Sequence, residues 1–166
     1  MLIKEVIARF QALHGRHARG SLPPEEMPAY SSLREDFYNV LVMAQRLNLQ
    51  DGHKARQVVR VASAKKVQIT LVGAAPISTM TCDIGIAGFG ALVGNELPVG
   101  TVCDFVLTAS GQALRGQARV AACVRHGSGG ATHRVSFVLE AMSEGDRAKL
   151  ENAVLDAALM GLVKPG

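Results

Sequence analysis

Arg56-Gln57-Val58-Val59-Arg60 is the stretch that decides how this chain is interpreted, together with Asp83-Ile84-Gly85-Ile86-Ala87-Gly88 further on. An arginine carries a planar fork of N–H donors that fits a phosphate or the O6/N7 edge of guanine with two parallel hydrogen bonds. At strand rise, Arg56 and Arg60 point to the same side about 13 Å apart, which suits a ligand larger than a mononucleotide, such as a small dinucleotide. The pair indicates a clamp for an anionic ligand. Taken alone, two arginines at this spacing more often form a surface salt-bridge site than a clamp.

The second stretch supplies the other wall of such a site. The carboxylate of Asp83 can accept hydrogen bonds from ring or exocyclic N–H groups of a ligand. Gly85 and Gly88 permit a tight turn and a close approach of backbone to ligand. We therefore expect Arg56, Arg60 and the Asp83–Gly88 turn to form one binding site.

An RxxxR element followed by [D/N]xSxxG resembles the signature of PilZ domains, which are bacterial receptors for cyclic di-GMP. The resemblance rests on Arg56, Arg60, Asp83 and Gly88, and it covers about two thirds of the chain. Gly85 stands where the family has serine, so one side-chain hydroxyl near the ligand is missing. In the run His133–Phe137, Arg134 stands where many family members have glycine; it would either crowd the guanine pocket or add a third donor.

The resemblance implies a fold of mainly β structure with α-helices. We expect a six-stranded antiparallel β-barrel closed by a C-terminal helix and preceded by an N-terminal helical hairpin. Alternating apolar segments separated by turn signals predict the same class of barrel or sandwich. The predicted strands span residues 67–72, 77–83, 87–93, 101–108, 114–125 and 132–140.

Helical patterns flank these strands. Apolar residues recur at three- and four-residue steps over residues 2–18, and a second such stripe begins after Pro24 and ends before Asn48. Ser143-Glu144-Gly145-Asp146 resembles a capping box and predicts a final helix. His14 and His17 stand one helical turn apart, and without a carboxylate or cysteine to complete a metal site they predict an exposed helix end.

Three regions follow from these patterns. Residues 1–50 form a helical appendage whose apolar faces must pack against the barrel or against a second copy of the chain, as a homodimer. Residues 51–66 form a basic linker that carries the RxxxR element and becomes ordered on ligand binding. Residues 67–166 form the barrel with its C-terminal helix.

Composition narrows the class of protein. The 166 residues are 48% hydrophobic, 4% aromatic and 19% charged, as in a soluble globular protein. Residues 1–66 carry eleven Lys/Arg against six Asp/Glu, a balance of +5, whereas residues 67–166 carry seven against eight, a balance of −1. This positive field would draw anions towards the arginines, although a merely solvated basic face has the same signature.

The remaining patterns argue against other functions. Three cysteines without CxxC spacing predict buried, reduced thiols and a cytoplasmic protein. The sequence shows no secretory leader and no apolar run long enough to enter a membrane. It contains no catalytic or metal-binding motif, and too few aromatics for base stacking on nucleic acid.

We therefore expect a non-enzymatic receptor of cyclic di-GMP, without catalytic residues, metal or other cofactor. It would change conformation on binding and signal to an unidentified protein partner in motility, pilus or biofilm regulation. The alternative is a degenerate PilZ-like interaction module of motility or pilus machinery that no longer binds cyclic di-GMP; the glycine at position 85 motivates it.

Overall fold

The computed structural model describes residues 2–47, 59–127 and 132–163, and these residues fall into two units that divide between Val59 and Arg60. No helix among them is long and apolar enough to cross a membrane. The elements, in chain order, are α1 (Ile3–Ala18), a short 3-10 turn (Pro24–Glu26), α2 (Met27–Leu47), β1 (Arg60–Ala62), β2 (Lys66–Leu71), β3 (Ile77–Gly85), β4 (Gly88–Val93), β5 (Val102–Ala109), β6 (Gln112–His126), β7 (Thr132–Met142) and α3 (Glu144–Val163).

The first unit contains α1 and α2, which pair through an aromatic stack as the apolar stripes predict. Phe10 is fully buried, and its ring lies 4.6 Å from that of Phe37 and 6.0 Å from that of Tyr30, measured between centroids. The prediction that His14 lies on an exposed helix end is wrong, because its ring is buried and its Nδ1 shares a 2.8 Å hydrogen bond with the Tyr30 hydroxyl. The ring of His17 stacks on that of Tyr30, 4.6 Å away between centroids. These histidines contribute to packing of the hairpin.

The second unit is a closed antiparallel barrel of six strands, β2 to β7, with α3 after the last strand. The barrel order is β3-β2-β5-β6-β7-β4, and β4 pairs with β3 to close it. All six strands lie where the alternating pattern predicts them, with β3, β6 and β7 extending by one or two residues at their ends. The six-stranded barrel, the C-terminal helix and the N-terminal helical region are therefore confirmed.

Arg60–Ala62 form a strand, β1, where the sequence predicts part of a linker. This strand pairs with the end of β3, with Arg60 opposite Gly85 and Ala62 opposite Asp83. β2 pairs with the first half of β3 along the same edge. β1 and β2 therefore lie one after the other beside β3. Arg60 is therefore fixed to the barrel by its backbone. The sequence did not predict this strand, because its three residues are too few to show an alternating pattern and the segment before it is mostly polar.

A threonine on β3 spans the break between β1 and β2. The Thr81 hydroxyl donates to the Ser63 carbonyl at 2.6 Å and accepts from the Lys65 amide at 2.9 Å. Backbone bonds from Ser63 to Cys82 and from Thr81 to Lys65 complete the junction. The backbone groups of Ser63 and Lys65 are therefore paired, since an unpaired backbone group at a partly buried position would cost free energy.

Three phenylalanines form the aromatic centre of the barrel core. The ring of Phe89 lies 4.8 Å from that of Phe137 and 5.2 Å from that of Phe105. Gly116 on β6 provides the space beside them, because a Cβ there would lie 3.0 Å from the Phe105 ring and 2.7 Å from the carbonyl oxygen of Ala141. Burial of these rings is the main contribution that aromatic residues make to barrel stability.

The predicted cap of α3 forms, but its acid has a different partner. The Asp146 amide donates to the Ser143 hydroxyl at 3.2 Å, as an N-cap requires. The Asp146 carboxylate accepts from the Arg115 amide on β6 at 3.3 Å, where a capping box would direct it back to the cap residue. The start of α3 is thus attached to the barrel wall. Leu150 and Val154, one turn apart, then enter the barrel core.

The three cysteines are all unpaired, as predicted, but only one of them is buried. Cys103 is buried, whereas Cys82 and Cys123 are half-buried. Burial, with a smaller contribution from the neighbouring Asp104 carboxylate, raises the pKa of the Cys103 thiol to about 11. This thiol therefore stays protonated over the physiological range.

We expect iodoacetamide at pH 8 to alkylate Cys82 and Cys123 before Cys103. At three pH units below its pKa, only about one Cys103 thiol in a thousand is the reactive thiolate, and burial also blocks access. Peptide mass spectrometry over time measures the order. In denaturant all three should react at similar rates, and fast modification of Cys103 in the native protein would contradict its burial.

Candidate functional site

A carboxylate held between two arginines lies on one face of the barrel. Arg60 donates from Nη1 to Oδ1 of Asp83 at 2.9 Å, and Arg134 donates from Nη2 to Oδ2 at 3.1 Å. Both oxygens of Asp83 are thus engaged, one by each guanidinium. Arg60 also reaches the Phe137 carbonyl oxygen from Nη2, at 3.5 Å. These contacts bring together residues that are 23 and 51 positions apart in the sequence.

The strand register places these side chains on the outside of the barrel. Asp83 lies opposite Gly90 across β3 and β4, and Gly90 lies opposite Ser136 across β4 and β7. Residues directly opposite one another on antiparallel strands share a face of the sheet. The adjacent positions Ile84 and Phe137 belong to the barrel core, so the alternation of strand side chains directs Asp83, Gly90 and Ser136 outwards.

Two glycines on β4 make room for this cluster. A Cβ on Gly88 would lie 2.1 Å from the Phe137 carbonyl oxygen and 2.8 Å from Nη2 of Arg60. A Cβ on Gly90 would lie 2.9 Å from Oδ1 of Asp83. Any other residue at Gly88 would collide with backbone. Because β4 carries no side chain at these two positions, the carboxylate from β3 can extend over β4 and meet Arg134 of β7.

The members of the cluster differ in exposure. The Asp83 side chain is 11% exposed and that of Arg60 is 16% exposed, whereas that of Arg134 is 46% exposed. Two guanidinium charges against one carboxylate leave a net charge of +1. The Asp83–Arg60 pair is screened little by solvent, whereas Arg134 can exchange partners at lower cost. The cluster can therefore receive an anion, and its accessible donor group is Arg134.

The structure brings most of the sequence-predicted site residues together. Asp83 accepts hydrogen bonds from both Arg60 and Arg134, and Gly88 lies beside Arg60. Gly85 lies opposite both Arg60 and Gly88 in the sheet. Asp83 was predicted to accept hydrogen bonds from a ligand, and in this structure its two oxygens accept from arginines. Arg134 was predicted either to crowd the pocket or to add a third donor. Its guanidinium donates to the same carboxylate as that of Arg60. The remaining prediction, Arg56, lies outside the described residues.

Sequence reasoning missed Gly90 and the Phe137 carbonyl oxygen. The signal for Gly90 was available, because Gly88 and Gly90 stand two residues apart in one strand and so leave the first half of one of its faces without side chains. No sequence signal pointed to the Phe137 carbonyl, since it depends on the β4–β7 register.

The described residues include no group of three or more His, Cys, Asp or Glu side chains that could hold a metal ion. Asp83 is the buried acid of the site, and its two oxygens both accept from arginines. The arrangement offers charged donors for an anion together with a carboxylate acceptor.

No family model and no curated protein matches this sequence. Solved structures do match at the level of fold. Inhibitor of motility (MotI/DgrA) from Bacillus subtilis superposes with a TM-score of 0.56 at 17% identity, over 65% of this chain and 53% of that one. The chain thus spans about half the length of that relative.

Two further structures contain cyclic di-GMP by name. The PilZ domain of YcgR from Escherichia coli with c-di-GMP matches at a TM-score of 0.54 and 14% identity, over 65% of this chain and 95% of that one. The MrkH–c-di-GMP complex from K. pneumonia matches at a TM-score of 0.59 and 14% identity, over 68% of this chain and 57% of that one. At these identities the likeness concerns the backbone. The chain therefore contains a β-barrel domain with the PilZ fold, as its sequence predicts.

Proposed function

We propose that this protein is a cyclic di-GMP receptor whose ligand lies over the Gly88–Gly90 face of the barrel. The observation that carries the proposal is the Arg60–Asp83–Arg134 cluster, because it sets two guanidinium groups and one carboxylate on a face where β4 has glycine at positions 88 and 90. Guanidinium groups match the phosphates and the O6/N7 edges of the ligand, and the carboxylate matches its guanine N–H donors. Arg56, which lies one RxxxR spacing before Arg60, would contribute the second arginine of the motif.

The similar structures support the choice of ligand. YcgR and MrkH share the fold and are named with bound c-di-GMP. In this chain Arg60 contacts both of the other described motif residues: it donates to Asp83 and lies against Gly88. The proposed role is non-enzymatic, with Asp83 engaged as a hydrogen-bond acceptor of Arg60 and Arg134.

The proposed output is a changed surface for a protein partner. Ligand contacts at Arg56 and Arg60 would order the segment between the helical hairpin and the barrel and so change what the hairpin presents. The partner would belong to motility, pilus or biofilm regulation, and the fold shared with an inhibitor of motility supports this assignment. The unpaired cysteines support a reducing compartment, the cytoplasm.

A degenerate interaction module is the second candidate, and the glycine at position 85 favours it. Gly85 is buried at the end of β3, opposite Arg60 and Gly88, and supplies no hydroxyl to the site. On this alternative, Asp83 stays paired with both arginines permanently and the barrel acts only as a binding surface for protein.

Substitution of the motif arginines tests the receptor. We expect Arg56→Ala and Arg60→Ala each to weaken cyclic di-GMP binding by about 1.5–3 kcal/mol, about tenfold or more, the scale of a hydrogen bond to a charged group. Isothermal titration calorimetry measures the dissociation constants. Arg147→Ala, which removes an exposed arginine of α3, is the matched control and should bind like the unmodified protein. Absence of binding by the unmodified protein at high ligand concentration would reject the receptor.

Restoring the family's hydroxyl separates the two candidates. A working receptor should change little on Gly85→Ser, whereas a degenerate site should gain affinity because the serine adds a donor and acceptor beside the arginines. The same titration, with GTP as a competing guanine nucleotide, reports the change. Tight and selective binding by the unmodified protein contradicts the degenerate module.

Amide hydrogen exchange tests the proposed conformational output. We expect cyclic di-GMP to add protection at residues 51–58, while the amides of Ser63, Lys65 and Thr81 are protected in both states by their existing hydrogen bonds. Equal exchange at residues 51–58 with and without bound ligand would place the conformational change elsewhere.

A further inference from the structure

We propose that Asp83 is the selectivity residue of this face: a tethered anion that holds Arg134 and thereby excludes simple anions. The inference rests on the proposed function, since it explains which ligands can enter the same site. Its basis is that each oxygen of one carboxylate accepts from a different arginine, Oδ1 from Arg60 and Oδ2 from Arg134.

A free anion that approaches Arg134 competes with an acceptor that is already in place. The carboxylate is covalently part of the chain, so its effective concentration at the guanidinium greatly exceeds that of a millimolar solute. Gly90 permits this position, since its missing Cβ leaves room for Oδ1 of Asp83. A simple anion would therefore gain Arg134 only by breaking an existing charged hydrogen bond.

Arg134 is the exchangeable partner and Arg60 the fixed one. The Arg60 side chain is 16% exposed, belongs to a strand and lies against Gly88. The Arg134 side chain is 46% exposed. An arriving ligand meets Arg134 first and releases Oδ2 of Asp83, while Oδ1 stays with Arg60.

The released oxygen sets the second requirement on the ligand. Asp83 is only 11% exposed, so an Oδ2 without a donor would be poorly hydrated, and an unsatisfied buried acceptor opposes binding. The ligand must bring an anionic group for Arg134 and an N–H donor for Oδ2 at the same time. Guanine nucleotides carry both, whereas inorganic pyrophosphate carries only the anion. A site built to pair a ligand's N–H strongly rejects analogues that lack it.

Titration of Asp83→Asn with two ligands tests the mechanism. We expect this variant to bind inorganic pyrophosphate at least tenfold more tightly than the unmodified chain. Cyclic di-GMP binding should change less, because asparagine keeps an acceptor oxygen for the ligand's N–H and the motif accepts it at this position. Asp104→Asn on β5 is the matched control, because Asp104 is an exposed acid and its removal changes the net charge equally. A gain for pyrophosphate no larger than that of the Asp104→Asn control overturns the proposal.

A second substitution identifies the arginine that is released. In the Asp83→Asn background, Arg134→Gln should abolish the gain in pyrophosphate affinity, whereas Arg125→Gln should keep it. Arg125 is an exposed arginine on the same β6–β7 hairpin, opposite His133. Retention of the gain without Arg134 contradicts its role. Circular dichroism verifies folding of each variant.

If Asp83→Asn does not fold, the single substitution Arg134→Gln tests the role of Arg134 in ligand binding. Arg134→Gln alone should weaken cyclic di-GMP binding at least fivefold and reduce its salt dependence, because one charged contact is lost. Binding equal to that of Arg125→Gln overturns the proposal. Failure of the unmodified chain to bind cyclic di-GMP rejects the proposed function, while the pyrophosphate titrations still decide whether Asp83 holds Arg134.

Discussion

The carboxylate of Asp83 accepts a hydrogen bond from a guanidinium on each side, and the surrounding strands are arranged so that it can. A carboxylate that is 11% exposed requires charged donors to offset its lost hydration. Arg60 reaches it because β1 pairs with the end of β3. Arg134 reaches it because β4, between them, carries glycine where a side chain would intervene. The local strand order and the two glycines thus serve one ionic contact.

The fold could be predicted from the sequence to a large extent, for identifiable reasons. Alternation of apolar residues with period two marks the barrel strands, and stripes with period 3.6 mark the helices, because these patterns record which face is buried. β1 escaped this reasoning, since three residues are too few to show a period. The burial of His14 escaped it as well, because its hydroxyl partner comes from the other helix of the hairpin.

The residues of the Arg60–Asp83–Arg134 cluster could be singled out from the sequence, but their contacts with one another could not. The motif spacing singled out Arg60, Asp83 and Gly88, and comparison with the family pattern singled out Arg134. The sequence could not indicate that Asp83 holds Arg60 and Arg134 at once, because that contact depends on the register of β7 against β4 and of β4 against β3. Spacing along a chain specifies neighbours within a strand, whereas partners across three strands follow only from the folded sheet.

The cluster lies where the barrel closes. Arg60 comes from the start of the sheet and Arg134 from its last strand, and they meet across the β3–β4–β7 pairings that join the two ends of the barrel. During synthesis, the N-terminal strands emerge well before β7, so a partly made chain has the RxxxR motif without a complete binding face. Only a finished and closed barrel can hold a ligand that bridges these arginines. Because such a ligand would bind only the closed form, it would stabilise the β3–β4–β7 pairings that close the barrel.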